Sequence, residues 1–466
     1  MSTTENGNVK SLAVSLSGGG HRATLFVLGA LMYLVDAKAN AHVTSIASVS
    51  GGSLTNGLVG QAVDFRQTDG DQFRQRVATP LATQIALRGT LFAPLLSKIY
   101  LAVLIVWGVV AVVVPLIGWA PWYVRLVVFV VLVASWGWFF GKRGAICARA
   151  FRKTLFSPDG HDTKLAQIRK DGMDHVICST ELRSAEQVYF AGGFVYSFAL
   201  GHGKPADVLL AQAVQASAAY PGGFPPATLS AKRIDFTDTP KPPNGPPERP
   251  DYMVLTDGGV YDNMGDQWAR GFAERVRRWS ELGNGRTPPD QLVVVNASAR
   301  VPWSPFRRRL IPLIGEVVAL LRVMDVMFVN TTNVRRQAIV ASFNPADPKA
   351  ASALRSVLVQ IAQSPFVVAN AFRNDQTDVG LRARAVIEFL AQGPTTRDQW
   401  TQIASDNSAV ATTLSKLGAD VSARLIYQGY VVTMCNLHVF FGDDFLLRPD
   451  DLALARFRAL ITTVSQ

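Results

Sequence analysis

The chain has 466 residues, with 46 Lys+Arg against 35 Asp+Glu, a net charge of +11, 48% apolar and 17% charged residues. The apolar content excludes disorder of the whole chain, and three scattered cysteines (Cys147, Cys178, Cys435) exclude a disulfide scaffold or a zinc cluster. A charged fraction below the roughly 25% of soluble domains, with a positive mean hydropathy, points to a part of the chain in lipid.

The first ten residues, MSTTENGNVK, lack the charged-then-apolar order of a signal peptide, which predicts a cytoplasmic location for the bulk of the protein. The unpaired thiols agree with a reducing compartment. The excess positive charge suits nucleic acid or an anionic membrane surface. No zinc finger, RNP-type aromatic pattern or basic heptad region is present, so nucleic acid is not an expected partner.

Residues 11–17, SLAVSLS, read as a short buried strand. Gly18-Gly19-Gly20-His21-Arg22 follows, and ATLFVLGALMYLVDA over 23–37 reads as an apolar helix. Strand, glycine loop and helix make an anion cradle, because glycines let successive N–H groups turn toward one point where the helix dipole is positive. The anion is either a phosphate or a reaction oxyanion. Neither GxGxxG nor GxxxxGK[ST] is present, which counts against a nucleotide.

A second strand, VTSIASV over 43–49, leads into Ser50-Gly51-Gly52-Ser53 and then an expected helix. This resembles the nucleophile elbow G-x-S-x-G with Ser48 at the place of the first glycine. Ser50 is the candidate nucleophile and Ser53 a competing one inside the helix. The plainer reading of Ser50 is a helix N-cap.

Residues 99–118 carry no charge, and residues 122–140 carry only Arg125. A helix of either length spans about 30 Å, the thickness of the bilayer's hydrocarbon core. Lys98 precedes the first segment, and Lys142, Arg143, Arg149, Arg152 and Lys153 follow the second. Positive flanks favour the cytoplasmic side, so both ends are expected inside and the Trp119–Tyr123 turn outside. Tyr100, Trp136, Trp138, Phe139 and Phe140 at one border and Trp119, Trp122 and Tyr123 at the other resemble interfacial belts. Buried soluble helices and a re-entrant hairpin are the alternatives.

Farther on, YMVLT over 252–256 reads as a strand ending in Asp257-Gly258-Gly259-Val260-Tyr261-Asp262-Asn263-Met264-Gly265. An aspartate backed by two glycines can approach another loop closely. Taken in order, GGGxR, VSGGS and DGGVYDNMG resemble the patatin-like phospholipase family. AVQASAAYPGGFPP over 213–226 resembles the family's segment before that aspartate, and VICSTELRSAE over 176–186 its central strand. SARLIYQGY over 422–430 resembles a C-terminal helix. The resemblance covers residues 10–70 and 145–300, and more weakly 320–430.

The resemblance implies an α/β fold: a three-layer patatin-like domain with a central, mostly parallel sheet. It also implies that the hydrophobic hairpin is an insertion. The catalytic domain would then occupy 10–90 and 145–466, with the two-helix transmembrane insertion at 99–140. It implies a Ser–Asp dyad in which Ser50 attacks an ester carbonyl, Asp257 accepts its proton, and an acyl-enzyme is released by water. Backbone N–H groups of Gly18, Gly19 and Gly20 would hold the oxyanion, and Arg22 would brace their loop. Ser48, Gly51, Gly52, Gly258 and Gly259 complete the motifs; Ala23 and Ser48 stand where the family often has glycine. His21 is expected to be a spectator and Asp262 a turn residue, second to Asp257 as the acid. No metal or cofactor is called for. The expected substrate is an acyl ester of a membrane phospholipid, cleaved by an enzyme anchored in the bilayer with its catalytic domain on the cytoplasmic side. An acyltransferase using the same dyad is an alternative. A catalytically silent scaffold or lipid-binding protein is another, although the intact Ser50, Asp257, glycine triplet and Arg22 count against it.

Two remaining stretches draw attention. TPKPPNGPPERP over 239–250 is an expected loop near the site. Arg307-Arg308-Arg309 precedes an apolar-rich stretch, 311–334, which reads either as a core-packed amphipathic helix or as one lying on anionic lipid.

Overall fold

The computed structural model describes residues 10–157, 160–205, 207–237, 250–283, 285–298, 303, 312–341, 354–442, 445, 447–448 and 453–462. Ten strands form one sheet: β1 (Leu12–Leu16), β2 (Val43–Val49), β3 (Asp174–Glu181), β4 (Glu186–Ala191), β5 (Val195–Ser197), β6 (Gly201–Gly203), β7 (Ala227–Ser230), β8 (Tyr252–Asp257), β9 (Gln291–Asn296) and β10 (Arg355–Gln360). Their order is β10-β9-β1-β2-β3-β4-β5-β6, with β8 pairing β3 and β7. The block β10-β9-β1-β2-β3 is parallel throughout, and its core strands are apolar on both faces. Beyond β3 every pairing is antiparallel. The expected mostly parallel sheet is thus the block that carries the glycine loop and the elbow.

Alternation along the strands divides the core between two helical layers. Leu12, Val14, Leu16, Val293 and Val295 face one layer, whose main helices are α1 (Gly20–Asp36) and α2 (Gly51–Ala62). Ala47, Val49, Val176 and Cys178 face the other, against Trp268, Phe272 and Trp279. α1 is buried all round from Gly20 to Val35, as a helix without a polar face must be. It begins at Gly20, inside the glycine loop itself, three residues before the expected start.

The central strand ends sooner than the expected 176–186. The Glu181 carboxylate accepts the Arg183 and Ser184 amides at 2.8 and 2.6 Å, which closes a turn before β4.

Between α2 and β3 the chain leaves this body as two antiparallel helices, α3 (Leu95–Leu116) and α4 (Trp122–Phe140). Both are strongly apolar, and their 18-residue windows are 11% and 0% buried. They hold each other through the Tyr100 hydroxyl, which donates to the Phe139 carbonyl at 2.8 Å, and the Trp136 indole, which donates to the Leu104 carbonyl at 3.0 Å. Val106, Val112, Val127 and Val131 are exposed, so these are not buried core helices.

The stretch 311–334 appears as α5 (Pro312–Ala341). It is not packed into the core: among its described side chains only Ile339 is buried. The last long helix, α6 (Ala419–Phe441), is buried along nearly its whole length and lies on α1. Gly29 and Gly429 make that approach possible. A Cβ on Gly29 would collide with the Ile426 carbonyl, and one on Gly429 with the Phe26 carbonyl. The two backbones therefore touch, and Tyr33 meets Tyr430 edge to face at 5.4 Å. The basic triplet 307–309 and residues 239–249 of the proline-rich loop lie outside the described residues.

Candidate active site

The register of the sheet brings two distant strand ends together. β2 runs up β3 until Val49 pairs with Cys178. β8 runs down the same β3 until Asp257 pairs with Ser179. Two strands of opposite direction thus end on consecutive residues of a third, and the residues at their tips, Ser50 and Asp257, meet across the gap.

Ser50 sits between β2 and α2 at φ 49°, ψ −117°. A positive φ is uncommon for any residue with a Cβ, and such strain at a strand-to-helix turn is the signature of a nucleophile elbow. Its amide donates to the Ser217 hydroxyl at 3.0 Å. The close neighbours require small residues. A Cβ on Gly51 would strike the Gly20 carbonyl, and one on Gly52 would lie 2.8 Å from the Leu16 and Ser17 carbonyls. The start of α2 is therefore seated directly on the glycine loop.

Ser48 departs from the elbow pattern without loosening it. Its hydroxyl is buried, donates to the Val176 carbonyl at 3.1 Å and accepts from Ser53 at 3.1 Å and Asn56 at 2.9 Å. Ser53 also bonds Ser217 at 2.9 Å. Its hydroxyl is thus engaged twice and buried, unlike a group that must meet substrate.

Asp257 is 2% exposed. Burial raises its pKa to about 7, against the lowering influence of the Gly259 amide and of a hydrogen bond from the Ser50 side chain. The Gly259 amide donates to Oδ1 at 2.7 Å. A carboxyl poised near neutrality has the affinity for a proton that an ordinary aspartate lacks.

The glycine triplet divides into two roles. Gly18 lies against Ser50, where a Cβ would come 3.2 Å from the Ser50 Cβ and 2.6 Å from the Asn263 side-chain oxygen. Its amide is already used, donating to the Asn263 carbonyl at 3.1 Å. The expectation of three oxyanion donors is corrected on this point: Gly18 gives close approach, not a free N–H. Among the described residues no hydrogen-bond partner is recorded for the amides of Gly19 and Gly20. Both adopt positive φ, 138° and 59°.

Arg22 is fully buried beneath this loop. Its Nε donates to the Ala297 carbonyl at 3.0 Å, and its Nη1 donates to the Val410 carbonyl. Burial lowers its pKa only to about 10, so it stays charged at neutral pH. The guanidinium thus ties the loop to the end of β9 and to the chain before α6.

Asp262 is buried and accepts the Met264 and Gln267 amides at 3.1 and 2.9 Å, with Arg335 at 3.4 Å. These bonds fix the turn after the Asp-Gly-Gly segment. His21 bonds the Ser415 carbonyl at 2.8 Å and the Thr90 hydroxyl at 2.9 Å, and burial lowers its pKa to about 4. It is a neutral tie between loops.

Two participants carry no motif of their own. Ser217 holds both the Ser50 amide and the Ser53 hydroxyl. Asn263 joins the two loops, accepting from Gly18 through its carbonyl and donating through its side chain to Ser298 at 2.9 Å. Each lies within a stretch noted in the sequence, but only the fold shows what it touches.

The family model described as patatin-like phospholipase matches residues 14–265. No curated protein matches the chain. Among solved structures, human GIVD cytosolic phospholipase A2 aligns with 97% of this chain and 60% of its own, at 12% identity and a TM-score of 0.41. The same enzyme in complex with methyl gamma-linolenyl fluorophosphonate aligns with 99% and 61%, at 14% identity and a TM-score of 0.43. VipD from Legionella pneumophila aligns with 98% and 92%, at 11% identity and a TM-score of 0.27. The chain thus spans about 60% of the length of the human phospholipase it is matched to.

Proposed function

The chain belongs to the patatin-like phospholipase family, and from that premise we propose that it is a membrane-anchored lipid acyl hydrolase working through a Ser50–Asp257 dyad. The observation that carries this reading is the junction on β3, where a serine in a strained turn lies beside a buried carboxyl whose pKa is raised to about 7. In the first step Asp257 takes the hydroxyl proton as Ser50 Oγ bonds the ester carbonyl carbon. The negative charge that develops on the carbonyl oxygen would be met by the Gly19 and Gly20 amides, with Arg22 fixing their loop as a charged brace. Collapse of the tetrahedral adduct expels the alcohol, which takes the proton from Asp257. Water then attacks the acyl-enzyme with Asp257 again as base and frees the fatty acid. No imidazole is needed, because burial has already moved the carboxyl into the range of an effective base.

The α3–α4 hairpin supplies the anchor. Its exposed valine, leucine and tryptophan side chains suit acyl chains and interface, and its basic flanks support a catalytic body on the cytoplasmic side. Tethering confines the enzyme to the surface that holds its substrate.

The test is fatty-acid release from mixed phospholipid vesicles by wild type and Ser50→Ala in parallel, with products separated by head group. Release by wild type alone is expected. Equal release by both would overturn the dyad, and release by neither would overturn the hydrolase reading.

A further inference from the structure

α5 is inside out. Val318, Leu320, Val323, Val326, Met327 and Val334 are exposed, with Leu320 at 64% and Val326 at 57%. Among its charged groups Arg335 turns toward the body, while Glu316 and Arg336 are exposed near the two ends. Arg335 pairs with Asp266 at 2.9 Å and Asp262 at 3.4 Å, and Arg322 meets Asp325 at 3.4 Å on the half-buried side. A helix that shows six large apolar side chains outward while Arg335 is held against the body suits an apolar surrounding.

Its position says which one. Phe328 reaches the Asp-Gly-Gly turn, where a Cβ on Gly259 would come within 2.8 Å of its ring. The same ring stacks on Tyr220 at 5.9 Å between centroids. Tyr220 follows Ala219, whose carbonyl accepts the Asp257 amide at 3.1 Å. The loop that Tyr220 begins also receives the foot of the hairpin: Arg143, just past α4, donates to the Gly223 carbonyl at 2.8 Å. Hairpin foot, Tyr220 loop, α5 and the Asp257 turn are therefore continuous. Arg307, Arg308 and Arg309 precede the helix in sequence, the charge that anionic headgroups attract.

We propose that α5 is a second membrane-docking element, whose outward apolar face seats in the headgroup–acyl boundary of the bilayer that α3 and α4 enter, so that lipid reaches Ser50 past Tyr220 and Phe328. The occupant is the bilayer itself. The route to Ser50 rests on the hydrolase reading, and the docking rests on the hairpin as membrane anchor.

The experiment uses the full chain in vesicles of zwitterionic and anionic phospholipid. A bimane fluorophore is attached at Val326→Cys in a Ser50→Ala background, where no hydrolysis is required. The native cysteines are buried, with thiol pKa values pushed up by burial, so the label goes to the new site. Nitroxide on the fifth acyl carbon of the lipid is expected to quench the probe by half or more, with a blue-shifted emission. A second variant, Val323→Glu/Val326→Glu in the active chain, is expected to lower the ratio of vesicle-phospholipid turnover to monomeric p-nitrophenyl butyrate turnover by tenfold or more. The hairpin keeps this variant on the membrane, so the fall reads docking and not recruitment.

An unquenched probe with an unchanged turnover ratio overturns the proposal. Dimer cross-linking through Val326→Cys without lipid quenching also overturns it, by assigning the face to a second copy. Quenching without any lipid cleavage by the active chain supports docking and sinks the hydrolase reading alone.

Discussion

The backbone amide of Ser50 donates to the hydroxyl of Ser217 at 3.0 Å, so the strained turn is held by a side chain from the far side of the inserted hairpin. Removing that acceptor leaves the turn free to relax away from the productive geometry. Ser217→Ala is expected to lower kcat by about tenfold, or ~1.4 kcal/mol of barrier, with KM little changed. Steady-state kinetics on a monomeric ester checks this, and wild-type kcat in the variant would rule out the holding role.

The elevated pKa of Asp257 sets a direction for activity with pH. The carboxyl must be ionised to take the serine proton, so kcat/KM is expected to rise with pH and level off above about 7. A profile governed only by a group near 4 would contradict the assignment.

Stability runs the other way. The folded carboxyl keeps its proton above the unfolded value of 3.8, so the fold loses stability as pH rises from there to about 7. Asp257→Asn removes that loss. It is expected to raise Tm at pH 8, by at most ~4 kcal/mol of stability, to give no gain below pH 4, and to abolish ester cleavage. Melting curves of detergent-solubilised protein at the two pH values decide it.

Restoring glycine at the elbow's first position is expected to weaken the protein. Ser48→Gly strips a buried hydroxyl from Val176, Ser53 and Asn56, at a cost of about 1–3 kcal/mol. Denaturant unfolding gives the answer, and an unchanged midpoint would mean that the network is slack.

Deleting residues 99–140, with a short linker joining the ends, is expected to release the protein from membranes while Tyr189 and Trp268 fluorescence reports an intact fold. Wild type should resist extraction at alkaline pH and high salt. Loss of wild type to the supernatant under either condition would contradict a spanning hairpin.

Much of the site was legible because it is carried by small residues at strand ends. Glycines next to Ser50 and Asp257 mark places where backbones touch, and those contacts recur in the fold. The division of labour within the glycine triplet was not legible, since whether the Gly18 amide is free depends on Asn263, far away in sequence. Ser217 was hidden for the same reason. β5, β6 and β7 are too short to show a period, and β10 lies in a region of weak resemblance. The periodicity of 311–334 predicted a helix correctly but left its orientation open. Only the positions of Asp262 and Asp266 decide that Arg335 faces inward.

The close packing of α1 on α6 at Gly29 and Gly429 has a consequence for biogenesis. α1 leaves the ribosome long before α6, the helix that lies on it. The apolar hairpin emerges in between, so two apolar segments are on the growing chain while α1 still waits for its partner. A nascent chain halted at residue 265, where the family match ends, would leave the α6-facing side of α1 uncovered. The interval between the emergence of α1 and the arrival of α6 is thus the period in which this chain most needs a chaperone.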